Sequence, residues 1–212
     1  MNEVKEIIVE GNADSSIIAL GGNSAKVLAW PVNPDGEELV LVATVDCKNL
    51  AASVNYGCVP KSGFICVFST YSKTDYFLEN ITYSGDPSEL ESILGGYTAV
   101  VFSSAESSIE KRGTVESIPR VGTRLESKEV PEDEFPVFSM LSDKIPNGIN
   151  LPSDIMAEYD FFMQLYSSDF PEPFQDIFYL TDAVGCLLLK KDGTGEGLFL
   201  YIQPDDFACN LL

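Results

Sequence analysis

Two apolar runs of strand length constrain the fold of this chain more than any other feature: Leu39 to Val45 (LVLVATV) and Phe64 to Phe68 (FICVF). The first is apolar except for Thr44, so it lacks the in-and-out alternation of a strand wetted on one side. A short continuous run rich in β-branched residues fits a strand covered on both faces, and seven residues is short for a helix. The second run is launched by Ser62-Gly63 and ended by Ser69-Thr70. A chain organised around this pair has a β-centred core.

The 212 residues, 45% of them hydrophobic, suffice for one compact domain. A domain of this size buries roughly 70% of the surface of its extended chain, and no Pro/Gly/Ser-rich linker divides this one. The apolar runs fall well short of the roughly 20 residues that span a bilayer. The first residues, MNEVKEIIVEG, mix acids among few apolar residues, unlike a secretory signal. The expected location is therefore cytoplasmic.

Charge excludes whole classes of partner. With 33 acidic and 13 basic residues the net charge is -20. Nucleic acids are held mainly by Lys and Arg on phosphates, so they are not expected partners, and the same holds for anionic membranes. The surplus charge reads first as a device for solubility; the competing reading is that it steers the protein toward a basic protein partner. Histidine is absent, which removes the commonest general base and metal ligand. Five cysteines (Cys47, Cys58, Cys66, Cys186, Cys209) form no C-x-x-C pair. Cys66 and Cys186 lie inside apolar runs and read as small hydrophobes rather than metal ligands or disulfide partners. No metal, cofactor or catalytic residue is expected.

Taken in order, Val4 to Val9 reads as a strand or the end of a helix, and Ser15 to Leu20 as a short apolar segment stopped by Gly21-Gly22. Val27 to Trp30 runs into Pro31, which disfavours helix at Trp30. Asn33-Pro34-Asp35-Gly36 is a turn. Residues 47 to 61 are loop or a short helical turn, and Tyr76 to Tyr83 is β-like. Asp86-Pro87 with Glu89 forms a capping box for a helix whose apolar face is Leu90, Ile93 and Leu94 and whose end is Gly95. Tyr97 to Phe102 is a strand. The weak alternation of TVESIPRVGTRLE suggests exposed edge strands, where Pro119 is tolerated. Leu151 to Ala157 reads as a short helix capped by Ser153, followed by strands at Tyr159 to Tyr166, Ile177 to Leu180, Gly185 to Leu189 and Leu198 to Ile202. The glycines of 190 to 197 make a hairpin loop, since a strand, not the helix that a phosphate-binding loop needs, follows them.

The strand, acid, loop, glycine, strand series of Leu39 to Phe68 has an echo in YDFFMQLYSSD, Gly185 and CLLL. That echo suggests an ancestral duplication with repeat-like halves of approximately 20–102 and 150–207, related by a pseudo-twofold axis; coincidence among short apolar strings is the competing explanation. The fold class is accordingly α+β, mostly β: a single domain over 1–212 with antiparallel or mixed sheets and one or two short helices.

Several of these pieces, in this order, resemble the YwqG-like family of bacterial domains of unknown function. Gly21-Gly22, Trp30-Pro31, Asp35-Gly36, the strand ending at Asp46, Pro60-Lys61-Ser62-Gly63 before FICVF, Tyr159 to Asp169 with Gln164, and Gly195 to Phe207 carry the resemblance. It covers roughly residues 20 to 70 and 155 to 207. The Pro-rich stretch usual before Trp-Pro is replaced by NSAKVLA, and the first strand's usual Gln is Thr44. The resemblance implies no established catalytic residues to transfer; some members look like neighbours of bacterial toxin systems.

The candidate binding residues are Trp30, Asp46, Gln164 and Asp182. The single tryptophan offers a stacking face or fills core volume. Asp46, Asp160, Asp169 and Asp182 stand at or near strand ends, where they cap turns, face water, or pair for acid–base chemistry. Gln164, in an apolar strand, needs hydrogen-bond partners if buried. Asp192 and Glu196 are too few for an EF-hand calcium loop. The leading functional expectation is a non-catalytic, immunity-like protein-binding domain. The alternative is a carboxylate-dependent hydrolase or carbohydrate-binding protein, which requires a concave pocket holding two acids beside Trp30 or another exposed aromatic.

Overall fold

Strands dominate the computed structural model of the chain, 39% against 14% helix, which makes the fold α+β and mostly β. The structure describes residues 1–11, 16–104, 108–112, 116–175, 177 and 183–203. The first half runs β1 (Asn2–Glu10), β2 (Ile18–Leu20), β3 (Ser24–Ala25), β4 (Val40–Asp46), helix α1 (Cys47–Ala51), β5 (Phe64–Ser69), β6 (Thr82–Tyr83), α2 (Glu89–Ser92), β7 (Thr98–Ser103) and β8 (Ile109–Glu110). The second half runs β9 (Val121–Val130), β10 (Met140–Leu141), α3 (Ser153–Glu158), β11 (Tyr159–Tyr166), β12 (Val184–Lys190) and β13 (Gly197–Ile202).

One sheet takes eleven of these strands in the order β6-β13-β12-β11-β10-β1-β9-β2-β4-β5-β7, and β3 and β8 pair separately. Every pairing is antiparallel except that of β13 with β6. The sheet curls until its ends meet, with the Thr98 hydroxyl on β7 donating to the Phe199 carbonyl on β13 at 2.5 Å. Both faces of the main strands are covered, as their unbroken apolar runs require. One face buries Val40, Val42, Val67, Leu187 and Leu189 beneath Leu50, Phe77, Ile81 and Phe170. The opposite face buries Leu41, Cys66 and Phe68 under Ala25 and Val27 at one end, and Cys186, Leu188 and Leu200 under Leu90, Ile93 and Ile155 at the other. Each large side chain fully buried in this way contributes about 2 kcal/mol of apolar transfer.

Apart from β6 at the far end, the order is symmetric about the central β1–β9 pair, with β2-β4-β5-β7 to one side and β10-β11-β12-β13 to the other. The registers repeat as well. β4 slips past β5 at Val42 and β11 slips past β12 at Phe162; two residues on, Thr44 faces Cys66 and Gln164 faces Cys186. One interval separates Val42 from Phe162, Thr44 from Gln164, and Cys66 from Cys186. The correspondence extends beyond the expected halves, because β1 and β9 occupy equivalent places in it.

Several local expectations are corrected. The segment 121–126 is not an edge: β9 lies at the middle of the sheet, and Pro119 stands just before it. Its polar residues are accommodated across the β1 ladder, where Arg124 pairs with Glu10 at 2.7 Å and Lys128 with Glu6 at 2.9 Å. Tyr76 to Tyr83 is mostly not strand. A tight turn over Leu78–Asn80 carries Phe77, Leu78 and Ile81 into the core, leaving only Thr82 and Tyr83 to pair. Among the described residues three α-helices form rather than one or two, the extra one being the single turn α1, where the Asp46 carboxylate accepts from the Asn49 amide. At the start of α2 the Asp86 amide donates to the Glu89 carboxylate and the Asp86 carboxylate accepts from the Ser88 amide. Beyond Ser92 the chain widens into a π turn over Ile93–Tyr97 that breaks at Gly96 (φ +106) rather than ending at Gly95, and Leu94 is exposed. Pro152, not Ser153, occupies the cap position of α3. Ile177 lies in a turn, and the rest of the strand expected to Leu180 lies outside the described residues. No helix among the described residues is long and apolar enough to cross a membrane.

Candidate binding surface

The segment between β3 and β4 folds back on itself because of Asn33. Its amide donates to the Glu37 carbonyl at 2.8 Å, and its side-chain oxygen accepts from the amides of Asp35 and Glu37 at 3.1 and 2.9 Å. Gly36, at φ +85, completes the turn in a conformation that side chains disfavour. The closed hairpin brings Leu39 back to Pro31, amide to carbonyl, at 3.0 Å.

That closure fixes Trp30. Its indole N–H donates to the Leu39 carbonyl at 2.8 Å, and its ring meets Phe68 edge-on with centroids 5.3 Å apart. Trp30 is thus half-buried, packed against Phe68 with part of its surface left exposed. Of its neighbours, Val27 is buried, whereas Leu28 is 90% exposed and Val32 54% exposed. Leu28, Trp30 and Ile109 wall a cavity of about 670 Å³. Glu38, Glu110, Lys111 and Arg112 supply its polar lining. The Glu38 carboxylate accepts from the Arg112 amide at 3.0 Å. Burial holds the Lys111 ammonium below its usual pKa, with the nearby Glu38 charge opposing the shift. β3 and β8 form the base, since Ala25 pairs with Ile109 and Asn23 accepts from the Lys111 amide at 2.8 Å.

The other candidate residues stand elsewhere. Asp46 caps α1, accepting from the Asn49 amide at 3.1 Å and its side-chain amide at 2.8 Å. Gln164 is fully buried in β11, donating to the carbonyls of Pro136 at 2.7 Å and Phe138 at 3.0 Å. Its amide oxygen has no hydrogen-bond partner among the described residues. Asp182 lies outside the described residues. Of the strand-end acids, Asp169 accepts from the Ser139 amide at 2.8 Å and Asp160 faces Lys191 at 3.9 Å. Trp30 therefore lines its cavity without Asp46 or Gln164.

Reasoning from sequence missed Leu28, Glu38 and Ile109. Val27-Leu28-Ala29-Trp30 is apolar throughout and lies in bent, irregular chain rather than in a strand, so no periodicity in the sequence marks Leu28 as exposed. A second cleft of about 590 Å³ lies over the β1–β9 pair, lined by Lys5, Ser16, Ser53, Thr123 and Arg124. Its polar groups serve the fold: Lys5 is held by Glu3 at 3.0 Å and Ser127 at 2.6 Å, and Ser16 accepts from the Thr123 amide at 3.0 Å. Among the described residues, no three of His, Cys, Asp and Glu gather as a metal site would require. Compared with known protein families and with curated proteins, the sequence matches none.

Proposed function

We propose that this protein is a YwqG-like, non-catalytic binding module that holds a basic protein partner, as an immunity-like protein holds its toxin. One observation carries the reading: acids outnumber bases 33 to 13, for a net charge of -20. Lys5, Lys73, Arg124, Lys128, Lys190 and Lys191 each already face a carboxylate of this chain, which leaves fewer cations to offset the surplus acids. Such a surface attracts a basic protein from a distance and repels nucleic acid and anionic lipid. The motif order shared with the YwqG-like pattern supports the family part of the reading: Gly21-Gly22 and Asp35-Gly36 bracket the Trp30-Pro31 segment, and Pro60 to Gly63 opens β5. Purification of complexes from the native host tests it. The expected partner is basic and dissociates as salt rises to roughly 0.5 M, beyond which screening is nearly complete. An acidic partner, or one insensitive to salt, would overturn the reading.

The carbohydrate or hydrolase reading is favoured by one specific observation, that Glu38 and Glu110 line the cavity beside Trp30. Titration calorimetry with oligosaccharides checks it, with Glu110→Gln as the variant expected to lose binding. Absence of heat with the native protein rejects it.

A further inference from the structure

Three features of the Trp30 surface remain after the fold is accounted for. Leu28 is 90% exposed and Val32 54%, flanking a tryptophan that the Leu39 carbonyl and the Phe68 ring hold still. A cavity of about 670 Å³ opens beside them toward Ile109. The hairpin turn closed by the Val32–Glu38 bridge, one arm of which brings Glu38 into the cavity wall, carries Asp35 and Glu37, both exposed. Exposed apolar residues around an anchored aromatic beside a preformed concavity are the arrangement that interface hot spots adopt, and a rigid anchor loses little freedom on binding.

We infer that this surface is where a partner docks, and that it takes a segment inserting an apolar side chain between Leu28, Trp30 and Ile109 while its flanking Lys or Arg residues reach Asp35 and Glu37. The inference rests on the basic-partner reading and adds the place and the composition of what is recognised. Charge complementarity selects the occupant. Within the cavity Glu38 and Glu110 are balanced by Lys111 and Arg112, so the floor favours an uncharged insert. The outer turn, with Asp35 and Glu37, has no cation within its Asn33–Glu38 span. A second copy of this chain fits poorly, since at net charge -20 it would bring like charge to that turn.

The test uses the full chain and three short fluorescent peptides read by anisotropy. One has a central Leu-Phe pair with Arg and Lys flanks, the second replaces Leu-Phe with Ser-Ser, and the third replaces the flanks with Glu. The native protein is expected to bind the first at least about tenfold more tightly than either other peptide. Leu28→Asp, at a position the core does not use, is expected to weaken the first peptide about tenfold while leaving the thermal melt unchanged. Asp35→Lys combined with Glu37→Lys is expected to weaken it and to flatten its salt dependence. If the basic peptides bind in a salt-dependent way but Leu28→Asp changes nothing, the docking surface is wrong and the basic-partner reading stands. If the acidic-flanked peptide binds as well as the basic one, both fall.

Discussion

Thr44 in β4 and Gln164 in β11 occupy equivalent places and predict different mutational outcomes. The Thr44 hydroxyl is buried and meets no oxygen or nitrogen partner among the described residues, with the Cys66 thiol across the ladder as its neighbour. Thr44→Val exchanges a buried hydroxyl, whose contact is the weakly hydrogen-bonding Cys66 thiol, for a methyl at nearly constant shape and is expected to change stability by less than about 1 kcal/mol in urea denaturation. Gln164→Leu instead strips the Pro136 and Phe138 carbonyls of their donor and is expected to cost about 2–3 kcal/mol. A loss of comparable size in both variants would contradict this. Burial pushes the thiols of Cys58 and Cys66 up to about 11 and that of Cys47 up to about 12, and it raises Cys186 as well. These groups are neutral in the fold at pH values where the unfolded chain has already released its protons. Their contribution is therefore complete below about pH 9 and is lost as pH rises toward 11 and beyond. Equilibrium unfolding across that window is expected to show falling stability, and the four thiols are expected to escape alkylation near pH 8 until the protein unfolds.

Among the elements, the strands covered on both faces were legible because burial on two sides leaves an unbroken apolar string, as in β4, β5, β11 and β12. Residues that satisfy one another across a ladder leave no such string, and this hid β9 at the centre of the sheet. The Trp30 surface was half legible: the tryptophan stood out, but the partners that build its cavity come from β8 and from the returning hairpin, far away in the chain. Gly63 shows how turns fix strand geometry. It sits at φ +90, and a Cβ there would lie 2.7 Å from the Phe102 ring and 2.8 Å from the Ser103 carbonyl. Gly63→Ala is expected to cost about 2–4 kcal/mol, whereas Gly36→Ala, at φ +85 with open space around it, should lose only about 1 kcal/mol. Chemical denaturation of the two variants checks the contrast.

For the molecule as a whole, the surplus of acids works against compaction. Exposed ion pairs such as Lys128–Glu6 contribute little each, so screening relieves more repulsion than it removes attraction at net charge -20. Raising salt from roughly 20 to 300 mM is expected to raise the melting temperature by a few degrees; a fall would mean that the pairs outweigh the repulsion. The place of β1 has a consequence for biosynthesis. Among the described residues, β1 pairs with β9 and β10, more than a hundred residues downstream. On the ribosome its ladder groups stay unclaimed until residues 121–141 have emerged, so the nascent segment that holds β1 is a natural client for chaperones until the later strands arrive.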